Sequence, residues 1–348
     1  MRYSDRRTPA RRLVFAIASI YPLCLLALSA MHALQPRRTG LLGLSEVFAP
    51  YLFLPLLVLL PFAFMRGAAL LRVMLVVCAV VYGVRFPPNL ISASPAETPG
   101  AIQLSVMSWN VMVGDDYDEV ARVLSERPAA IVGLVEADWH RLANDPEVAK
   151  VYPYRWGVQA GGTVTGQALL SVYPIIQQGI IDMPAEVWSG IPRAAWARLD
   201  VGLGRNVVVV VAHPPPARMC TRQTFPTNCY DTSTRDKQIA AINAFVQPYL
   251  QAWDAVLLMG DFNVTEREPA YNDLSAGLTD AHIAAGSGVG ATWRPAQMMG
   301  QPFGLLRIDY IFSSLNLMPL TLDVDCTPHG SDHCIVLGTF EVMTVEVK

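Results

Sequence analysis

Asp261 and Asn263, two residues apart at the end of an apolar run, are the first side chains in this 348-residue chain whose types suggest chemistry. In Asp254–Asn263, DAVLLMGDFN, the stretch from Ala255 to Met259 has the continuity of a buried strand. Gly260 then lets the backbone turn, so that the carboxylate and the amide leave the strand end together. Such a carboxylate can take a proton from water, and the amide can hold an oxyanion. The pair suits hydrolysis of a phosphoester. The same four residues also read as an ordinary Gly-Asp turn, so the other polar strand ends decide.

Those ends repeat the pattern. Gln103–Val111, QLSVMSWNV, alternates apolar and polar residues and delivers Asn110, and the apolar run Ala129–Val135 ends at Glu136. Asn206–Ala212, with five successive valines, runs into His213, and the three prolines that follow forbid helix and ladder pairing. Arg307–Phe312, RIDYIF, is a strand interrupted by Asp309, and Ser331-Asp332-His333 precedes a last strand, Cys334–Val342. An unpaired buried Asp309 would cost on the order of several kcal/mol. His333 is its expected partner, a carboxylate fixing and charging an imidazole. Taken singly, each of these residues has the plain reading of a chain meeting water or of a structural histidine.

The elements that must position them alternate between strand and helix. Tyr117, Val120, Ala121 and Leu124 recur at helical spacing and Pro128 closes that helix. Ala168–Ile176 and Ala194–Val201 read as strands, while Ile239, Ile242, Phe245, Val246, Tyr249, Leu250 and Trp253 mark the core face of a helix leading into the Asp261 strand. Pro214–Asp231 and Gly286–Gly304 are loops. An α/β domain over 102–348 follows.

The ordered set SWNV (108–111), VE (135–136), LLSVYP (169–174), AH (212–213), GDFN (260–263), TW (292–293), IDYIF (308–312) and SDH (331–333) resembles the endonuclease/exonuclease/phosphatase superfamily, whose fold is deoxyribonuclease-I-like. The resemblance implies a four-layer α-β-β-α sandwich and metal-dependent cleavage of a P–O bond. It implies Glu136 as principal ligand for Mg²⁺ or Mn²⁺, with Asn110 and Asp332 near the metal or its waters. Asp261 would activate the attacking water, Asn263 and His213 would hold phosphoryl oxygens, and His333, paired with Asp309, would bind or protonate the scissile phosphate. Val135 and Val172 stand where the family often has Gln and Arg, which bears on substrate contacts rather than on bond breaking.

The first part of the chain is of another kind. Residues 1–100 carry a formal charge of +7 and residues 101–348 one of −10. Three apolar stretches, about 13–34, 41–65 and 67–84, read as membrane spans within a helical anchor at 1–86. Arg2, Arg6, Arg7, Arg11 and Arg12 place the start in the cytoplasm. Glu46, Pro50, Pro55 and Pro61 interrupt the second stretch and Arg72 the third. Three crossings, or a cleaved first segment followed by a hairpin, put the catalytic domain on the extracytoplasmic side of a multi-pass membrane protein. Residues 87–101 are an extended linker rich in Pro, Ser and Ala. Cys220 with Cys229, and Cys326 with Cys334, are spaced to close short disulfide rings in an oxidising compartment, and no cysteine spacing suggests zinc.

Fold does not choose a substrate. An acidic domain without a basic run disfavours nucleic acid, and membrane anchorage favours a lipid-linked or membrane-proximal phosphate, pyrophosphate or phosphodiester. Trp293, Met298, Met299 and Phe303 are candidates for a lipid-facing lip, against ordinary core packing. Spans ahead of such a domain also resemble the bacterial teicoplanin-resistance membrane phosphatases. A surface nuclease and a non-catalytic binding module are the alternatives.

Overall fold

A computed structural model describes residues 9–36, 39–90, 98–112, 117–159, 166–184, 193–221 and 229–343. Arg2, Arg6 and Arg7 and residues 91–97 of the expected linker lie outside the described residues. The chain divides into two compact units, Met1–Pro88 with Cys220–Tyr230, and Asn89–Met219 with Asp231–Lys348.

The first unit is helical: α1 (Pro9–Leu34), α2 (Gly40–Val47), a 3-10 turn, α3 (Leu56–Ala63) and α4 (Ala69–Arg85). Leu25 of α1 packs with Leu71, Leu75 and Cys78 of α4. The other face of α4 leaves Leu70, Val73, Val76, Val80 and Val84 exposed. Glu46 is paired: its carboxylate meets His32 Nδ1 and Arg85 Nη2, each at 2.6 Å, tying the ends of α1, α2 and α4. The segment Cys220–Tyr230, within the range expected for the catalytic domain, groups with these helices, and Gly40 N–H donates to Tyr230 O at 3.0 Å.

The expectation of three spans is corrected. Among the described residues one helix, Leu13–Leu34, is long and apolar enough to cross a membrane. The second stretch is bent by 80° between Gly40–Val47 and Ala49–Ala63, since prolines lack the N–H and the room that a continuous helix needs. The third forms a helix of 17 residues, about 26 Å long against a hydrocarbon core of about 30 Å.

The second unit holds β1 (Ile102–Asn110), α5 (Tyr117–Glu126), β2 (Ile131–Ala137), α6 (Trp139–Asn144), α7 (Pro146–Val151), β3 (Tyr154–Gln159), β4 (Gly166–Ser171), β5 (Ile175–Asp182), β6 (Arg193–Gly202) and β7 (Arg205–Ala212). It continues with α8 (Ser233–Gln251), β8 (Ala255–Asp261), α9 (Pro269–Leu274), β9 (Thr279–Asp280), α10 (Ala281–Ala285), β10 (Asp309–Ser313), β11 (Leu317–Asp325) and β12 (Ile335–Val342). Two mixed six-stranded sheets result, ordered β11-β12-β1-β2-β4-β3 and β5-β6-β7-β8-β10-β9.

Strand periodicity makes the layers. Val207, Val209 and Val211 point into the core between the sheets, with Leu257 and Met259 of β8 and Val106 and Val135 of the facing sheet. Val208, Val210 and Leu258 point the other way, under Ile239, Ile242 and Val246 of α8. The outer face of the first sheet is covered by Val123 and Leu124 of α5 and Leu142 of α6. Four layers, α-β-β-α, follow. The sheets approach closely at Gly133, where an added Cβ would lie 2.6 Å from Met259 Sδ.

The run expected as one strand over 168–176 is two, β4 and β5, in different sheets, because Pro174 ends the ladder between them.

Candidate functional site

Each sheet contains one parallel pair at its centre, β1 with β2 and β7 with β8. Parallel strands end on the same side, so Asn110 and Glu136 emerge together from one sheet, and His213 and Asp261 from the other. The antiparallel neighbours start where these end: Asp309, first residue of β10, pairs in register with Asp261, and Asp332 and His333 immediately precede β12. Topology thus brings all these residues to one rim.

Two backbone devices sharpen the placement. The ladder between β2 and β4 slips between Val135 and Ala137, leaving Glu136 as a bulge residue with φ 55°. A bulge re-aims a side chain, and a left-handed non-glycine residue stores roughly 1–3 kcal/mol of strain. Asn263, at φ 51°, is held likewise. Gly260 has φ 137°, and an added Cβ would lie 2.0 Å from Ala212 O. Only glycine lets β8 close on β7 so near to His213.

Asn110 is the hub. Its Nδ2 lies 3.1 Å from Glu136 Oε1, 3.1 Å from Asp261 Oδ2 and 3.4 Å from His333 Nε2, while its Oδ1 accepts from Met112 N–H at 2.9 Å. In this arrangement it turns N–H, not oxygen, into the site. His213 Nε2 stands 3.4 Å from Asp261 Oδ2 and 3.8 Å from Glu136 Oε1. The expected pairing of Asp309 with His333 is present, Oδ2 to Nδ1 at 2.8 Å, and His333 Nε2 is 3.7 Å from Asp261 and 3.8 Å from Asp332. Asn263 N–H donates to Asp261 Oδ1 at 2.9 Å and its side-chain amide donates to Pro214 O at 3.0 Å, so it is locked to the loop after β7.

Several supporting residues left no periodic signal in the sequence. Thr292 Oγ1 donates to Asp309 Oδ2 at 2.6 Å and accepts from Asp309 N–H at 3.1 Å. Ser331 Oγ donates to Asn110 O at 2.7 Å and accepts from His333 N–H at 3.0 Å. Trp293, a candidate for a lipid-facing lip, instead donates its indole N–H to Asp332 Oδ2 at 3.1 Å. Arg294 is fully buried and bonds Cys326 O at 3.2 Å and Ser331 O at 3.4 Å, inside the ring closed by the Cys326–Cys334 disulfide. The Cys220–Cys229 disulfide is also formed.

The electrostatics divide the labour. Burial pushes the Asp261 carboxyl up, but His333 and His213 outweigh it and hold the group below its ordinary value, ionised. Burial presses the His333 imidazolium down, and Asp309 and Asp261 override that, lifting it to about 10. His213 is raised the same way, by its bond to Asp261 against burial. Asp309, buried like Asp261, is raised by burial.

A hard divalent cation fits this donor set. Glu136, Asp261, Asp309 and Asp332 give four carboxylates against two imidazoles, and Asp309 Oδ1 is buried without a hydrogen-bond partner. Ligand atoms of Asp261, Asp309 and His333 lie within 4.8 Å of one another. His333 Nδ1 is engaged by Asp309, which leaves oxygen as the dominant donor, the preference of Mg²⁺ and Mn²⁺.

The sequence matches the family described as Endonuclease/Exonuclease/phosphatase family over residues 107–333. Similar solved structures include a functionally unknown conserved protein from Enterococcus faecalis, with 16% identity and a TM-score of 0.53, covering 68% of this chain and 99% of that one. TDP2 from C. elegans is 20% identical with a TM-score of 0.52, over 69% of this chain and 75% of that one. An endonuclease/exonuclease/phosphatase from Bacteroides vulgatus is 16% identical with a TM-score of 0.53, over 69% and 99%. At such identities the likeness is one of fold. No curated protein matches the sequence.

Proposed function

Because the chain belongs to the endonuclease/exonuclease/phosphatase family, we propose that it is a divalent-metal-dependent phosphoesterase, tethered to a membrane and acting outside the cytoplasm on a lipid-linked phosphate, pyrophosphate or phosphodiester. The observation that carries the chemistry is the ionised, buried Asp261 set between His213 and His333 and within 3.1 Å of Asn110.

In this reading Asp261 accepts a proton from the attacking water, and His213, bonded to it, keeps it ionised until that moment. His333, charged and oriented by Asp309, donates to the phosphoryl or leaving-group oxygen opposite. Asn110, fixed by the bond its Oδ1 accepts from Met112 N–H, and Asn263, fixed by the one its amide donates to Pro214 O, would each turn an N–H to a phosphoryl oxygen. Glu136 and Asp332 would hold Mg²⁺ or Mn²⁺, which when bound supplies positive charge to the phosphoryl group. Trp293 holds Asp332 in place for that task.

The substrate class rests on the anchor and the charge. The apolar α1 follows a basic start, which favours a cytoplasmic N-terminus, and the two disulfides suit an oxidising compartment beyond the membrane. A formal −10 over residues 101–348 argues against a polyanionic nucleic acid. An apolar helix ahead of a domain of this family is the extent of the likeness to teicoplanin-resistance membrane phosphatases.

The test is the full chain in detergent with Mg²⁺, assayed against a prenyl pyrophosphate, a phospholipid, a soluble phosphodiester and DNA. Release of phosphate or headgroup from a lipid substrate, lost in Asp261→Asn by about 10²- to 10⁴-fold, supports the reading. DNA cleavage without lipid turnover would replace it by the nuclease, and no metal-dependent turnover of any substrate would leave a binding module.

A further inference from the structure

Asn89 is the first residue of the second unit and is bolted into it. Its side-chain amide donates to the carbonyls of His282 at 2.8 Å, Ile283 at 3.2 Å and Gly286 at 2.9 Å, the free end of the short helix α10. Its backbone exchanges two hydrogen bonds with Gly288, at 2.9 and 2.7 Å. His282 Nε2 meets Ser287 O at 3.1 Å, which fixes the loop from its other side. The segment 282–289 is therefore firmly shaped.

Yet the residues this clamp gathers are apolar and stand in solvent. Leu90 is 81% exposed, Ile283 59% and Val289 76%. No lysine, arginine, aspartate or glutamate occurs in 86–96 or in 281–293. A preformed, uncharged surface holding aliphatic tips outward, on a domain whose residues 101–348 carry a formal −10, calls for an apolar partner.

The covalent chain says which partner. Only Phe86, Pro87 and Pro88 separate Asn89 from α4, whose outer face is aliphatic and whose inner face packs on α1, the helix long enough to cross a bilayer. Four residue steps reach at most about 14 Å. Wherever α1 lies in a membrane, Asn89 stays within that distance of the end of α4.

We propose that Leu90, Ile283 and Val289 form a membrane-contact patch that dips into the outer interfacial layer of the bilayer and seats the catalytic unit on the lipid surface. The proposal rests on the reading of the chain as membrane-tethered. Aliphatic tips without charge enter the headgroup boundary readily, whereas the acidic remainder of the unit is repelled by anionic lipid. The tether keeps the unit near the membrane, and the patch sets which part of it faces the lipid.

The full chain is reconstituted in vesicles of phosphatidylcholine with phosphatidylglycerol, in a Cys24→Ala/Cys78→Ala background that removes the two free thiols. A nitroxide on Ile283→Cys is then probed for collision with oxygen and with an aqueous nickel chelate. Oxygen accessibility with shielding from nickel is the expected result, against full nickel accessibility at Leu203→Cys, in the β6–β7 turn. An Ile283 label as open to nickel as the Leu203 label overturns the proposal. This readout does not depend on turnover, so it can fail or succeed independently of the phosphoesterase reading. In parallel, Leu90→Ser/Ile283→Ser/Val289→Ser should keep its rate on a soluble phosphodiester, which also reports folding, while turnover of a vesicle-embedded lipid phosphate falls by about tenfold or more. Equal rates of triple variant and parent on the embedded substrate overturn the proposal as well.

Discussion

Asp309 Oδ2 accepts from both His333 Nδ1, at 2.8 Å, and Thr292 Oγ1, at 2.6 Å, while its Oδ1 stays buried without a partner. The carboxylate is thereby aimed at one nitrogen of one imidazole. His333 is lifted to about 10 by Asp309 and Asp261 against the effect of burial. A raised histidine contributes stability that is fully present below its unfolded value of about 6.5 and is lost as pH rises through the folded value. If protonated His333 serves the reaction, activity should hold through neutral pH and fall on the alkaline side. Asp309→Asn removes the nearer of the two carboxylates, at 2.8 Å against 3.7 Å, so the alkaline limb should move down by about one pH unit or more. The logarithm of kcat against pH reads this directly, and an unmoved limb would show that His333 is not the group titrating.

Glu136 is strained as well as placed. At φ 55° on a bulge it occupies a conformation that costs its side chain free energy, which its carboxylate must repay in function. Losing a residue that merely orients a metal ligand costs about 10- to 100-fold in affinity. Glu136→Gln should therefore weaken Mg²⁺ or Mn²⁺ binding by at least about tenfold, measured calorimetrically on the full chain. Glu136→Gly should abolish activity yet melt no lower than the parent, and up to about 1 kcal/mol more stably, because glycine relieves the strain. A melting point clearly below the parent would show that Glu136 is structural.

The site residues were legible in the sequence because each interrupts or ends a hydrophobic β-run, and a chemistry-bearing side chain in such a place stands out. Which of them meet could be read as far as Asp309 with His333, a buried acid and the histidine that ends the next polar stretch. Thr292 and Ser331 fall within the motifs TW and SDH, yet their roles were not legible: a hydroxyl that bonds a carboxylate or a carbonyl has no periodicity, and only the fold shows what it faces. Strand β11 escaped because Pro319 lies within it, which in a sequence argues against a strand; β11 is an edge strand, where a missing N–H is tolerated. The second apolar stretch misled for the opposite reason. Hydropathy counts composition, and it does not register that the chain bends by 80° after Val47, where Pro50 opens the next helical arm. What each site residue does remains our proposal, whereas their convergence on one rim is a matter of strand direction.

The Cys326–Cys334 ring encloses Arg294 and carries Asp332 and His333 on its last turn, so covalent closure and catalytic geometry are coupled. A ring of this size constrains the unfolded chain by about 2 kcal/mol, equivalent to roughly 4–8 °C in a domain of this length. Cys326→Ala/Cys334→Ala should lower the melting temperature by about that much. It should lower kcat on a soluble phosphodiester further than the lost stability explains when assayed well below the melting point. Unchanged kcat in the double variant would mean that Arg294 and Ser331 suffice to hold the loop.

Gly260 offers the sharpest test of how the two central strands close. Its φ of 137° is open to glycine alone, and a Cβ there would stand 2.0 Å from the carbonyl oxygen of Ala212, a backbone atom that cannot swing aside. Gly260→Ala must therefore change the conformation at 260 or part β7 from β8, and either movement separates His213 from Asp261, now 3.4 Å apart. Expected is a loss of more than about 3 kcal/mol in thermal or denaturant unfolding, with no measurable turnover in whatever folds. Because the clash is with backbone, removing the neighbouring methyl should not help: Gly260→Ala/Ala212→Gly is predicted to be no more stable than Gly260→Ala. Recovery of stability in that double variant would place the conflict in side-chain packing and remove the reason given for glycine at the strand end.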